Sequence, residues 1–370
     1  MEHQDFTQAQ ERIRESKLVD HSIHHPNAPH AAQAWSQDKT LHVAVAYSNP
    51  CRWKTRRNLF NDFRRHLATL PNVKLYVGEL AYGERPFEVT SADHPNDLQM
   101  RTREELWHKE NILNATIQRL FPVDWQYGAY VDGDCHFTRG DIGLETIHQL
   151  QHYDWVQMYS TYSDLSPNHH PMRVLKSFAY RYVNGELSEP QLAEAAKGGY
   201  YGTTHHGVGT TGLAWAFRRE SFNACGGLLD TCILGSGDWH MAFGLASTPD
   251  WHPQVAELEK VTPTYANAIK IWQSRSARAV NKNIGVVDCH AIHYFHGSKQ
   301  RRGYGTRWKI LADGKFDPYT DLFRDWQGIW QLANTKPRLR DEIRKYFRSR
   351  IEDDISLMNG DTLLGEAGRN

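Results

Sequence analysis

Short β-rich runs alternate with amphipathic stretches of helical period along the first 140 residues, and that order restricts the fold more than any other feature. TLHVAVAYSNP is an apolar run closed by Asn49-Pro50, a strand delivering its loop. From Thr55 to Leu70 the apolar residues Leu59, Phe60, Phe63 and Leu67 fall on one helical face. VKLYVGEL reads as a second strand, residues 83–100 as loop, and REELWHKENILNATIQRLF as a helix through Leu106, Ile112, Leu113, Ile117 and Leu120. QYGAYVD is a third strand. Strand, helix, strand, loop, helix, strand predicts an α/β fold with a mainly parallel central sheet flanked by helices.

Downstream, IGLETIHQLQHY has helical spacing, DWVQMYSTYSD reads as one strand, and a polar stretch from Leu165 to Thr211 is long enough to fold over a ligand. GLAWAFRRESFNACGGL is a strand followed by a turn of helix, and VVDCHAIHYFHG is a late strand rich in histidine. The segment beginning DPYTDLFRDWQGIW is expected to be helical to its end, followed by a frayed tail. With 370 residues, 40% of them hydrophobic, the chain has material for one large core. The boundaries are a polar, His- and Gln-rich extension over 1–38, a main domain over 39–312 with halves 39–150 and 151–312, and a C-terminal helical extension over 313–370.

Several classes are excluded. The opening MEHQDFTQAQ lacks signal-peptide order, and no run of about 18 apolar residues could span a bilayer, so a cytoplasmic location is expected. Five cysteines without CxxC spacing indicate neither a disulfide framework nor a cysteine zinc site. The 43 basic and 43 acidic side chains cancel, yet three segments are strongly basic: six cations in RWKTRRNLFNDFRR, five in KQRRGYGTRWK and seven between Lys336 and Arg350. Local positive fields are thus available for a polyanion or a diphosphate.

Three motifs carry chemistry. In YVDGDCHF, Asp132 and Asp134 flank Gly133 at the end of a strand, where ligands of open α/β sheets bind. Two such carboxylates can reach one hard divalent cation, and a turn in which each bonds its own backbone explains them as well. In DCHAIHYFH, His290, His293 and His296 recur at three-residue intervals and can converge on an ion such as Mn²⁺; a lone buried histidine would be read as a satisfied core residue. The basic loop that follows, with its glycines, suits closure over a diphosphate, or is simply a solvated loop. In GSGDWH, Asp238 beside the flat face of Trp239 can take a proton from a sugar-type hydroxyl, and it also has the sequence of a helix cap.

These elements together resemble the β-1,4-galactosyltransferase group of GT-A glycosyltransferases. Pro50-Cys-Arg52-Trp-Lys-Thr-Arg56 resembles the loop that opens that group's nucleotide site, Leu106-Trp-His-Lys109-Glu-Asn111 its following helix, and YVDGD its DxD strand end. GLAWAFRRESFNACGGL and GSGD are similar to its later strand and acceptor motif, and His293-Tyr-Phe-His296 stands in place of its Met-x-x-His. These elements follow one order over about residues 42–310.

The resemblance implies a GT-A (nucleotide-diphospho-sugar transferase) fold and a metal-dependent, inverting hexosyltransferase. Its donor would be a nucleoside-diphosphate sugar, expected to be UDP-linked. Pro50, Arg52 and Arg56 would lie along the nucleotide and its phosphates with Lys109 nearby, and Asp132 would face the ribose or a metal-bound water. Asp134, His293 and His296 would bind Mn²⁺ (or Mg²⁺), and Asp238 would be the general base. Two departures matter: His293 replaces a methionine, and Gly237 stands where the acceptor motif has a glutamate. No anchor or disulfide pair appears, which favours a bacterial enzyme or one acting in a virus-infected host cell. The acceptor hydroxyl stays open between a glycan, lipid or protein and a hydroxymethylated pyrimidine in DNA. A glycoside hydrolase using Asp132, Asp134 and Asp238, or a non-catalytic sugar-binding protein, are the competing readings.

Overall fold

The computed structural model describes residues 39–199, 207–304 and 306–354, and these belong to one compact unit. The N-terminal histidine-rich extension, the frayed tail and part of the GGYYGTTHHGVGTTG stretch lie outside the described residues.

A seven-stranded sheet forms the centre. Its strands are β1 (Leu41–Ser48), β2 (Val73–Tyr82), β3 (Asp97–Thr102), β4 (Tyr127–Val131), β6 (Trp155–Gln157), β9 (Ala214–Arg218) and β10 (Ile284–Val286), in the order β10-β6-β9-β4-β1-β2-β3. All neighbours pair in parallel except across β9, which runs antiparallel to both β4 and β6. The chain builds outward from β1 through β2 to β3 and then returns to β1's other side with β4. That reversal opens a crevice beyond the carboxyl ends of β1 and β4.

Burial on both faces explains why β1 and β4 read as continuous apolar runs. On one face Val43, Val45 and Tyr47 join a core with Phe60, Phe63 and Leu67 of α1 (Lys54–Ala68). On the other, Ala44 and Tyr76 pack with Leu113 and Ile117 of α2 (Lys109–Leu120). α2 lies so close to β2 that a Cβ on Gly78 would stand 2.6 Å from Ile112 Cγ2, so only glycine fits there. Further helices complete the layers: α3 (Ile142–Leu150), α4 (Phe178–Val183), α5 (Glu189–Gly199), α6 (Arg219–Cys225), α7 (Gly237–Ala246), α8 (Ala256–Val261), α9 (Pro263–Val280), α10 (Trp308–Asp313), α11 (Pro318–Asp321) and α12 (Pro337–Ser349). Among the described helices none is long and apolar enough to cross a membrane.

A second sheet, in the order β5-β11-β7-β8, consists of β5 (Cys135–Phe137), β7 (Thr161–Leu165), β8 (Pro171–Lys176) and β11 (His290–His293). It explains why DWVQMYSTYSD is two strands and not one: β6 stays in the large sheet, and β7 continues into the small one after Met158–Ser160. Three further expectations are corrected. Within residues 83–100, Asp97–Thr102 pairs with β2; its half-exposed edge position leaves no apolar alternation to read. The second helix begins at Lys109, not at Arg103. The C-terminal segment is not helical throughout, because Leu322–Arg324 (β12) and Trp330–Leu332 (β13) form a hairpin. Its turn is closed by Asp325, which accepts hydrogen bonds from the backbone of Gln327 and Ile329.

Candidate active site

The crevice beyond β1 and β4 holds a cavity of about 250 Å³. Its metal-type cluster is assembled by the small sheet. β11 lies between β5 and β7, and in register His293 stands opposite Cys135 on one side and Asp164 on the other. Asp134 immediately precedes Cys135, and its carbonyl accepts a hydrogen bond from the backbone N–H of Tyr294, locking the two segments together.

The result is a cluster of Asp134, His293 and His296 whose ligand atoms all lie within 4.8 Å of one another. His296 Nε2 is 2.8 Å from Asp134 Oδ2, and His293 Nε2 is 3.9 Å from Asp134 Oδ1. That Oδ1 is buried and has no hydrogen-bond partner among the described residues, which costs about 1–3 kcal/mol unless something else satisfies it. The donor set of one carboxylate and two imidazoles fits a first-row divalent ion, of which Mn²⁺ is one. Asp164 fixes the ring of His293 by accepting from Nδ1 at 2.8 Å, leaving Nε2 to face Asp134. Asp164 is itself held by Arg173 at 2.7 Å and by Lys299. Burial alone would raise both carboxyls; the imidazoles beside Asp134, and His293 with Lys299 beside Asp164, hold them well below the usual carboxylate range.

The other predicted residues divide. Arg56, Lys109, Asp132 and Asp238 line the same cavity as the cluster. Lys109 Nζ pairs with Asp132 at 2.5 Å and lies 5.4 Å from the centre of the Tyr130 ring. Arg56 is gripped in a fork by Glu352, with contacts of 2.9 and 2.6 Å, and donates to the Ser48 carbonyl at 2.6 Å. Pro50 and Arg52 are not on the cavity wall: Pro50 is buried in the loop, where its carbonyl accepts from Arg85, and Arg52 is exposed with φ 58°. His290 does not join the cluster, because Thr161 and Ser163 take its two ring nitrogens at 2.9 Å each. Three-residue spacing on a strand sends His290 and His293 to opposite faces.

Asp238 sits in the first turn of α7, where Thr211 Oγ1 approaches its Oδ2 at 3.4 Å. It does not cap the helix: Ser236 holds that position, and its Oγ accepts from Arg307 Nη2 at 2.8 Å. Trp239 gives Asp238 no flat platform, since helical geometry turns it into the core against Phe243 at 4.8 Å. Trp107 and Tyr304 are among the aromatic side chains that line the cavity. Arg307 lies 5.0 Å from the Tyr304 ring, and Arg350 lies 5.3 Å from that of Trp107. The basic loop is solvated only in part: Arg301 and Lys309 are exposed. Arg302 and Arg307 are 6% and 7% exposed and line the cavity.

Among the wall residues that sequence reasoning missed are Glu110, Asp164 and Glu352. Glu110 was hidden in the first turn of an amphipathic helix, and Asp164 at the end of a strand. Glu352 belongs to a segment read as helix, yet Arg56 and Arg350 draw it into the crevice, and the neighbouring Asp353 carboxylate accepts from the backbone of Lys54 and Thr55.

Comparison with known proteins adds little. No family model and no curated protein matches the chain. A solved structure from Desulfovibrio desulfuricans G20, provisionally named a nucleotide-diphospho-sugar transferase, aligns over 83% of this chain and 97% of its own at 13% identity. Its TM-score is 0.29, a likeness too slight to fix either a fold or an activity.

Proposed function

We propose that the chain is a metal-dependent, inverting glycosyltransferase of GT-A type that moves a sugar from a nucleoside-diphosphate donor, UDP-linked in our reading, to an acceptor hydroxyl. The observation that carries this is the buried Asp134 Oδ1, without a hydrogen-bond partner among the described residues, beside His293 and His296 at a strand-end crevice lined by cations and carboxylates alike. Six cationic and six carboxylate side chains line that crevice. A divalent ion would add two positive charges, and the diphosphate diester it would meet carries about two negative ones.

Asp134, His293 and His296 would hold the ion, Mn²⁺ or Mg²⁺, which when bound supplies a Lewis acid for the departing diphosphate. The chain's own groups do the rest. Arg302 and Arg307, largely shielded from water, are placed to donate to phosphate oxygens. The Lys109–Asp132 pair offers one donor and one acceptor side by side for the nucleoside. Asp238, on the wall of the same cavity, takes the proton from the acceptor hydroxyl as its oxygen attacks the anomeric carbon, and attack opposite the leaving group inverts that centre.

The test is release of nucleoside diphosphate from a panel of UDP-, GDP- and TDP-sugars with Mn²⁺. Silence with every donor, together with no thermal shift on adding Mn²⁺ and UDP, removes the proposal. One observation favours a hydrolase instead: Glu110, whose pKa burial pushes up to about 7, shares the cavity with Asp238, a pairing suited to acid and base roles. Chelator-resistant cleavage of nitrophenyl glycosides would decide for it.

A further inference from the structure

Gly237 opens α7 one residue before Asp238, and the space beside its Cα is already taken. A Cβ there would lie 3.1 Å from both Cδ and Oε1 of Glu110. The Glu110 carboxyl comes from the first turn of α2, is 3% exposed, and lines the same cavity as Asp238.

The chemistry proposed above does not use Glu110. It is outside the Asp134–His293–His296 cluster. Its neighbour Lys109 is committed to Asp132 at 2.5 Å. Among the described residues no other side chain donates a hydrogen bond to it; its own backbone N–H is its partner. Burial raises its pKa, Lys109 opposes that rise, and Asp238 reinforces it. A carboxyl buried so deeply is unfavourable unless cavity water or a ligand completes its hydrogen bonding. A phosphate cannot serve, because it is an anion with few hydrogens to donate. A hydroxyl can, since it donates to the ionised carboxylate and accepts from the neutral acid.

Resting on the glycosyltransferase reading, we propose that Glu110 is the acceptor-recognition residue, bonding a second hydroxyl next to the one Asp238 deprotonates. The acceptor is then a carbohydrate with neighbouring hydroxyls, not a lone hydroxymethyl group on a pyrimidine. An acceptor with a single hydroxyl and no N–H donor beside it satisfies Asp238 and leaves Glu110 buried without a ligand partner. Sites built around a substrate hydroxyl reject analogues lacking it by factors reaching about 10⁴.

The experiment takes the full chain with Mn²⁺ and UDP as donor-side probes. Methyl hexopyranosides, their monodeoxy analogues and 3′,5′-di-O-methyl-5-hydroxymethyl-2′-deoxyuridine, a nucleoside with one hydroxyl and no N–H donor beside it, serve as acceptor-side probes, with binding read by calorimetry and saturation-transfer NMR. Glu110→Gln, Glu110→Ala and Gly237→Ala are compared, the last because its new methyl displaces the Glu110 carboxyl without removing it.

A methyl hexoside is expected to bind the Mn²⁺–UDP form, and each variant to weaken it about tenfold or more while keeping UDP–Mn²⁺ affinity within about threefold. Deleting the recognised hydroxyl should cost the wild type about tenfold or more and Glu110→Ala almost nothing, the non-additivity of a direct contact. The inference is overturned if hexoside binding ignores the variants, if no hexoside binds or the hydroxymethyl nucleoside binds in preference, or if UDP–Mn²⁺ affinity falls as far as hexoside affinity. A wild type that binds UDP–Mn²⁺ in those cases leaves the transferase reading standing. A wild type that ignores UDP and Mn²⁺ overturns both.

Discussion

Replacing Glu110 by Gln should stabilise the protein, and only as the pH rises above the ordinary carboxylate range. Burial lifts the Glu110 pKa from its ordinary 4.5 to about 7. Below pH 4.5 the group is protonated in both folded and unfolded chains and has no effect on stability. Between 4.5 and 7 the folded protein binds the proton more tightly, so stability falls as pH rises. Above about 7 the full cost of a buried carboxylate is present, which at about 1.4 kcal/mol per pH unit comes to roughly 3 kcal/mol as an upper bound. Glutamine has nearly the same shape and never ionises, so the variant escapes that loss.

The assay is urea unfolding of wild type and Glu110→Gln at pH 4.5, 6 and 8.5. The difference between them should be near zero at the lowest pH and grow to about 2–3 kcal/mol in the variant's favour at the highest. Parallel stability profiles, or a variant that is weaker at every pH, would show that Glu110 is ionised and well solvated in the folded protein, contrary to its burial.

The cluster and its supports make further predictions. Asp134→Asn should abolish the Mn²⁺-dependent rise in melting temperature, since it removes the carboxylate on which both imidazoles converge. Asp238→Asn should keep Mn²⁺ and UDP affinity in calorimetry and lower transfer by about 10²–10⁴-fold; an undiminished rate would remove Asp238 as base. Asp164→Asn should weaken Mn²⁺ binding by about 10–100-fold by freeing the His293 ring, whereas His290→Ala should leave it unchanged because Thr161 and Ser163 already occupy that ring. Gly78→Ala should lower stability by about 1–3 kcal/mol or more in denaturant unfolding, because the added methyl meets Ile112.

The sequence by itself determined the elements whose partners are close in the chain. β1, β2, β4, α1 and α2 were legible because buried parallel strands are apolar throughout and surface helices repeat every 3.6 residues. It also marked Asp134, His293 and His296, since residue type and spacing record the chemistry a side chain can offer.

What residues 134, 164, 293, 296 and 352 do together was decided only in three dimensions. β11 enters between β5 and β7, and that register sets His293 against Asp164 while turning His290 away. No local pattern encodes such a pairing across more than a hundred residues. The same holds for Glu352, fixed by Arg56 and Arg350, and for Trp239, which helix geometry sends into the core while Asp238 faces the cavity. Glu110 shows the difference most sharply. In the sequence it is one more acid at a helix start, a place where acids are common. Only the packing of α2 against the first turn of α7 buries it beside Asp238, and burial is what gives an ordinary carboxyl an unusual proton affinity and a reason to bind a ligand.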